Sequence, residues 1–186
     1  MRNNLEHIIK RCQQNDRKAQ KEIYTLFAAN LFSICLRYAD NYADAQDIFQ
    51  EGFINIYNKI EQYKFKGSFE GWLKKIMINQ ALGKFRKKHL ISINNFDEIN
   101  EIDIISDETE IDSDINYDIL IEQVQNLTPQ YRQVFNLYVF EEYSHQEIAE
   151  LLNISVNTSK SNLSRARKIL KDKINSLNNS KFHEKA

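Results

Sequence analysis

One proline and four glycines are all that this 186-residue chain has to break a helix with. Sheets need tight reversals, and reversals are built largely from Gly and Pro together with Asn, Asp and Ser. A chain so poor in the two strongest breakers has few places to turn a strand, so helix is favoured throughout. One Trp, nine Tyr and eleven Phe give those helices enough bulk to bury real cores. The length suits one ordinary domain or two small ones.

Several classes of protein are disfavoured at once. No apolar run reaches the ~18 residues of a membrane-spanning helix. The start, MRNNLEHIIKRCQQNDRK, has no long apolar stretch of the kind that marks a secretory signal. Two cysteines, Cys12 and Cys35, are too few for a disulfide framework and are expected to serve as small buried hydrophobes. These features together predict a cytoplasmic protein without membrane insertion. His7, His89, His145 and His183 lie far apart, and no His/Cys spacing suits zinc. There is no P-loop, no Gly-rich dinucleotide turn and no paired-carboxylate motif. No metal, no cofactor and no enzymatic activity are therefore expected. His145, in the first turn of a short helix, is expected on the surface.

The charge is sorted along the chain although the formal net charge is only -1. Residues 1–89 carry 16 Lys and Arg against 9 Asp and Glu. Residues 90–122 carry 11 acids and no Lys or Arg, and residues 123–186 carry 9 Lys and Arg against 6 acids. Two basic blocks thus flank an acidic one. Basic blocks suit nucleic acid, because Lys and Arg release counterions from phosphates. The acidic block is excluded from a DNA surface and must face solvent or a basic partner.

Periodicity divides the first basic block into helices. Residues 4–14 could form a short one. Asp16 is a good N-cap for a long helix or broken pair over Arg17–Tyr38, with Ile23, Leu26, Phe27, Leu31, Ile34 and Tyr38 at spacings of three and four. Asp40-Asn41-Tyr42 interrupts it. A second strong helix is predicted from Asp44 to Gln62, where Phe49, Phe53, Ile56 and Ile60 make one continuous stripe. Its polar side holds Asp47, Gln50, Glu51 and Asn58. Tyr63-Lys64-Phe65-Lys66-Gly67 is a loop of alternating aromatic and basic residues. Ser68 then caps a helix to about Leu90, with Phe69, Trp72, Leu73, Ile76 and Leu82 on its apolar side. That helix ends in Lys84, Arg86, Lys87 and Lys88, cations that its dipole favours. Residues 91–114, acidic with isolated isoleucines and no helical period, read as a mostly disordered linker.

The last third has a sharper signature. Helix resumes at about Ile115 to Gln125, and Thr128-Pro129 marks another start, with Pro at a position where its missing N–H costs nothing. Ser144-His145-Gln146-Glu147 is a capping box. It opens a short helix, Asn153-Ile154-Ser155 turns the chain, and Ser155 caps a final helix from Val156 to about Leu177. A short helix, a tight turn and a longer helix make a helix-turn-helix, whose second helix enters the DNA major groove. On a helical wheel Val156, Ser159, Leu163, Ala166 and Leu170 fall on the core side. Asn157, Thr158, Ser161, Ser164, Arg165 and Lys168 fall opposite, with Lys160 and Arg167 on the flanks. From Ser155 to Lys171 there are five cations and no acid, which is unusual for an ordinary solvated face.

Residues 127–170, LTPQYRQVFNLYVFEEYSHQEIAELLNISVNTSKSNLSRARKIL, resemble the C-terminal promoter-reading domain of the extracytoplasmic-function group of bacterial sigma factors. YADNYADAQDIFQEGFINIYNKI resembles that family's polymerase-docking helix. SFEGWLKKIMINQALGKFRKK, with Gly71-Trp72-Leu73 followed by Asn79, resembles its minus-ten helix. The resemblance implies an all-α fold of two small helical domains, the C-terminal one a helix-turn-helix. It divides the chain into 1–90, an acidic linker 91–114 and 115–186. It also implies a function: the chain binds core RNA polymerase and directs it to promoter DNA. Asp47, Gln50 and Glu51 would grip the clamp of the polymerase largest subunit. Tyr63, Lys64, Phe65 and Lys66 would capture an unstacked base of the minus-ten element. Lys74, Lys75, Asn79, Lys84, Arg86 and Lys87 would lie along the same strand. Asn157, Thr158, Lys160, Ser161, Ser164, Arg165 and Lys168 would meet the minus-thirty-five duplex, with Arg165 the leading candidate for a base or deep phosphate contact. The linker would thread the polymerase channel, and an inhibitory anti-sigma protein is a further partner that family members often have.

Three positions depart from the family pattern. Gly83 stands where an acid is usual, Ser159 where a β-branched apolar residue is usual, and Asn162 where Arg is common. A stand-alone helix-turn-helix regulator is the alternative function. For Tyr63 and Phe65 the plain alternative is that they cover the edge of the core.

Overall fold

The computed structural model describes residues 2–90 and 117–183, with side chains described over 4–87 and 119–177. Every regular element among the described residues is helical. The chain separates into two compact units, residues 1–89 and 90–186. The expected acidic linker lies outside the described residues.

The first unit consists of α1 (Arg2–Gln13), α2 (Arg17–Tyr38), α3 (Tyr42–Lys59, closed by a 3-10 turn over Ile60–Gln62) and α4 (Phe69–Leu90). Asp16 starts α2 as its sequence position suggested, accepting from the amides of Lys18 and Ala19 at 2.8 and 3.3 Å. It also takes the Arg11 guanidinium from α1, Nε at 2.8 Å and Nη2 at 2.6 Å. One carboxylate therefore fixes both the turn and the angle between two helices. α2 runs unbroken, since it contains neither proline nor glycine. Asn41 caps α3 by accepting from the Asp44 amide at 2.9 Å, while Asp44 accepts from the Asp40 amide at 3.1 Å. This reciprocal cap starts α3 two residues earlier than the apolar stripe alone would place it.

The stripe Phe49, Phe53, Ile56, Ile60 is buried as expected, as are Ile23 and Leu31 of α2 and Leu73, Met77 and Leu82 of α4. Each fully buried aliphatic side chain of this kind stabilises by ~1.5–3 kcal/mol relative to exposure. Leu26 is a correction: it repeats at helical spacing yet is 56% exposed, because it lies at the margin of the stripe rather than within it. α3 and α4 approach closely at Gly52, where an added Cβ would sit 2.2 Å from the Met77 sulfur. Gln13 donates to the carbonyls of Ile60 and Tyr63, both at 2.9 Å, and so ties α1 to the end of α3.

The second unit consists of α5 (Tyr117–Gln125), α6 (Pro129–Val139), α7 (His145–Leu152) and α8 (Val156–His183). Val124, Leu127, Ala166 and Leu170 form a cluster flanked by Tyr131, Phe135 and Ile169. The capping box is present: Ser144 Oγ accepts from the Glu147 amide at 3.3 Å, and the Glu147 carboxylate accepts from the Ser144 N–H and hydroxyl, both at 2.8 Å. Asn153 ends α7 in the left-handed region, φ +55°, where Asn is better tolerated than most residues. Ser155 Oγ then accepts from the Thr158 amide at 2.9 Å and starts α8. Thr128 holds the N-cap position of α6 without a side-chain hydrogen bond there. Val156 is another correction: expected in the core, it is 38% exposed, because it is the first residue of α8 and burial of that apolar side begins one turn on, at Ser159.

Candidate nucleic-acid and polymerase interfaces

Asp47, Gln50 and Glu51 share the outer face of α3, and all three are exposed. Two of them are tethered to α4. Lys84 Nζ lies 2.5 Å from Asp44 and 3.3 Å from Asp47. Gln80 donates to Glu51 through Nε2 and accepts from Asn55 at 2.7 Å through Oε1. A polar seam thus runs between the two helices, and α4 stations the acids that α3 presents. Burial draws the Lys84 ammonium downward, but hydrogen bonds and charge from Asp44 and Asp47 outweigh it and leave Lys84 raised overall. Lys84 was expected to track phosphates. In this structure its charge is spent on acids of its own unit, a partnership 37 and 40 residues long that local spacing does not reveal. Ile54, 59% exposed, extends the same face of α3.

The loop after α3 separates its two aromatics. Tyr63 is 6% exposed, packed on Phe69 and Trp72, with its hydroxyl donating to the Gly67 carbonyl at 3.0 Å. It covers the core edge, so the expectation that it stacks on a base is corrected. Phe65 is 38% exposed and held at φ +57°, a region that costs a bulky residue strain. Its ring leans on Tyr63 at 5.2 Å, and Lys10 of α1 lies 5.5 Å from its centroid. Lys10 thus lies against a ring that Lys64 and Lys66 flank in the sequence, with Lys64 Nζ donating to the Glu61 carbonyl at 3.0 Å. Lys75, Asn79 and Arg86 are exposed on one stripe of α4, with Lys87 beside them. Lys74 is half-buried and paired with Glu70 at 3.2 Å.

In the second unit α8 buries Ser159, Asn162, Leu163, Ala166 and Leu170. Asn157, Lys160, Arg167, Lys168 and Lys171 are exposed on the other side, and Ser161 and Ser164 are half-buried between them. Arg165 donates to the Tyr131 hydroxyl of α6 at 3.3 Å and is half-buried. Thr158 is engaged by Ser155, their hydroxyls 2.8 Å apart. The open face is thus centred on Lys160, Ser164 and Lys168, rotated away from Arg165. His145 is not a plain surface residue. It is half-buried, stacked on Tyr138 with ring centroids 4.6 Å apart, and its Nδ1 lies 2.9 Å from Ser159 Oγ.

Family comparison bears on both units. The model described as Sigma-70 region 2 matches residues 23–90, and that described as Sigma-70, region 4 matches residues 117–170. Relatives match nearly end to end: an ECF RNA polymerase sigma factor, SigW of Bacillus subtilis, is 26% identical over 91% of this chain and 96% of its own. The ECF RNA polymerase sigma-E factor of Haemophilus influenzae is 27% identical over 91% and 95%. This chain belongs to the extracytoplasmic-function group of the sigma-70 family. A solved sigma factor, RpoE of Bartonella quintana in complex with the anti-sigma factor NepR, shares the fold at TM-score 0.50 and 19% identity, covering 82% of this chain and 94% of that one.

As a sigma factor the chain is a regulatory protein that directs promoter-specific transcription, and the two surfaces above fall in the two matched regions. The sequence pattern missed Gln80 and Lys84 as organisers of the α3 acids, and Lys10 beside Phe65. Nothing local marks them, since each acts on a residue outside its own helix. No His/Cys/Asp/Glu group able to hold a metal occurs among the described residues. No helix among them is long and apolar enough to cross a membrane. Cys12 and Cys35 are buried, and burial pushes their thiols up to about 11 and about 12, so neither is a reactive thiolate.

Proposed function

We propose that this sigma factor docks on core RNA polymerase through Asp47, Gln50 and Glu51, with Gln80 and Lys84 holding two of those groups in place. Phe65 takes an unstacked base of the minus-ten strand. A ring so placed supplies ~1–3 kcal/mol of stacking, and Lys64, Lys66 and Lys10 attract the adjoining backbone. Lys75, Asn79, Arg86 and Lys87 follow that strand along α4, with Lys74 at its margin. Asn157, Lys160, Ser161, Ser164 and Lys168 meet the minus-thirty-five duplex in the major groove, where residues near the start of α8 reach base edges. Arg165, held against Tyr131, fixes the angle of α8 more than it reads bases. The acidic segment 91–114 occupies a basic channel of the polymerase. The protein works in the cytoplasm and performs no covalent chemistry. An inhibitory partner of the kind bound to the Bartonella relative would compete for these surfaces.

The observation that carries this reading is the exposed side of α8, which presents Lys160, Arg167, Lys168 and Lys171 with no acid between Ser155 and Lys171. Run-off transcription with core polymerase on promoter fragments from the same genome tests it. The wild-type chain should stimulate transcripts, and joint replacement of Asp47, Gln50 and Glu51 by Ala should abolish the stimulation without unfolding the chain. Undiminished transcription by the triple variant would overturn the docking assignment.

A further inference from the structure

The joint between α7 and α8 holds an imidazole that no step above uses. Three helices fix it. Tyr138 of α6 stacks on the His145 ring at an interplanar angle of 26°, and Ser159 of α8 meets Nδ1, while the ring itself starts α7. The charged or titratable groups facing it are Tyr138 from α6, and Lys160 and Arg167 from α8. On α7 itself, Glu147 is committed to Ser144 in the capping box. Arg167 lies 5.6 Å from the centroid of the same Tyr138 ring. Burial first, and then Lys160 and Arg167, hold His145 below the ordinary imidazole range. The positive end of the α7 dipole acts in the same direction.

Lys160 and Arg167 are seven residues apart, so they lie on one stripe of α8, and both are exposed. An anion landing there cancels the two charges that add to burial in holding His145 below the ordinary imidazole range. It also lies near a helix N-terminus, where negative charge is favoured. Ser159 suits either protonation state, because its hydroxyl can donate to a bare Nδ1 or accept from Nδ1–H.

We propose that His145 is a proton-linked contact to the DNA backbone: when a duplex phosphate settles on Lys160 and Arg167, the imidazole gains one proton from solvent and joins them as a third cation. The inference rests on α8 lying against duplex DNA. The sign follows from linkage. Protonation is easier in the bound state than in the free one, so binding tightens as pH falls through the range in which the bound imidazole takes up its proton. Each unit by which DNA raises the imidazole is worth up to about tenfold in affinity.

Imidazole NMR titration of the full-length chain decides the matter. It is run with and without a mixed-sequence duplex of ~20 base pairs at ~50 mM salt, where sequence-independent binding is measurable. The His145 resonance is assigned by its proximity to Tyr138 and by its loss in His145→Gln. The titration midpoint of His145 should rise when duplex is added. The gain in duplex affinity from pH 8 to pH 6 should be several-fold larger for wild type than for His145→Gln. If the duplex binds but the midpoint of His145 stays put, the inference is wrong while the reading of α8 stands. If duplex perturbs no resonance of α8, both fail. The midpoint is measured on the wild-type chain, so the outcome does not depend on how well the variant folds.

Discussion

The two units solve the same packing problem with different materials. The core of the first is apolar almost throughout: Phe49, Phe53, Ile56, Leu73, Met77 and Leu82, joined by edge-on aromatic contacts such as Phe49–Phe53 at 4.9 Å. The second unit buries Arg132, Gln133, Asn136, Ser159 and Asn162 between its helices. An apolar core is specified by volume, and it tolerates exchange among residues of similar size. A polar core is specified by direction, because each buried donor must point at its acceptor. The difference fits the two tasks proposed above for these units. Docking on a protein and gripping a flexible strand need a firm platform. Reading a duplex needs one helix held at a fixed angle and rotation.

The largest way to break that comparison is to crowd the apolar unit. Gly52 lies where α3 meets Met77 of α4, and an added methyl would fall 2.2 Å from the sulfur. Gly52→Ala should destabilise the first unit by about 1–3 kcal/mol, overpacking outweighing the helix propensity that Ala brings. Urea unfolding followed by Trp72 fluorescence reports the first unit alone, since that is the chain's one tryptophan. Met77→Ala in the Gly52→Ala background should recover part of the loss. A wild-type midpoint for the single variant would show that α3 and α4 can separate freely, and that this core is looser than its packing indicates.

The directional core should break differently. Arg132 is 4% exposed and donates to the Leu127 carbonyl at 3.0 Å. Arg132→Met keeps most of the side-chain volume and removes the donor, leaving that buried carbonyl without it. The expected cost is about 2 kcal/mol, the usual penalty for orphaning a buried polar group. Thermal melting followed by far-UV circular dichroism should place the loss in the second unit, with the Trp72 transition unchanged. An equally stable Arg132→Met would make this core one of volume after all.

How far the sequence reveals these cores depends on the range of the interactions involved. Caps and turns are local, so Asp16, the Ser144–Glu147 box and the helix-turn-helix were legible from a few neighbouring residues. The stripe from Phe49 to Ile60 was legible because period alone places it inside. Arg132 counted as one more cation in a basic block, since the pattern gave no sign that its guanidinium turns back to the Leu127 carbonyl five residues earlier. Tyr63 and Phe65 alternate in a single loop, and pattern gave no reason to bury the first and expose the second. That choice is made by Phe69 and Trp72, which cover one ring and leave the other beside Lys10. Lys84 shows the same limit: a basic run at the end of α4 looks uniform until Asp44 and Asp47 claim one member of it.

Gly83 gives the mildest test, and it sharpens the contrast within the first unit itself. Like Gly52 it sits inside a helix, but an added Cβ there would meet nothing within 4 Å. Its backbone is helical and its φ is not in the left-handed region, so the glycine relieves no strain. What remains is its entropic disadvantage, since Gly restricts more of its unfolded freedom on entering a helix than Ala does. Gly83→Ala should therefore raise the stability of the first unit by about 0.5–1 kcal/mol, read from the same Trp72 unfolding curve. Run-off transcription should be unchanged, because the methyl meets nothing within 4 Å and so leaves the seam that Lys84 and Gln80 make with α3 as it is. Two glycines in facing helices would then respond with opposite signs to the same substitution, and the sign would follow the space around each Cα. A loss of stability at Gly83 would mean that α4 needs a flexible point beside Lys84, and that the ion pairs with Asp44 and Asp47 form only because the helix bends there.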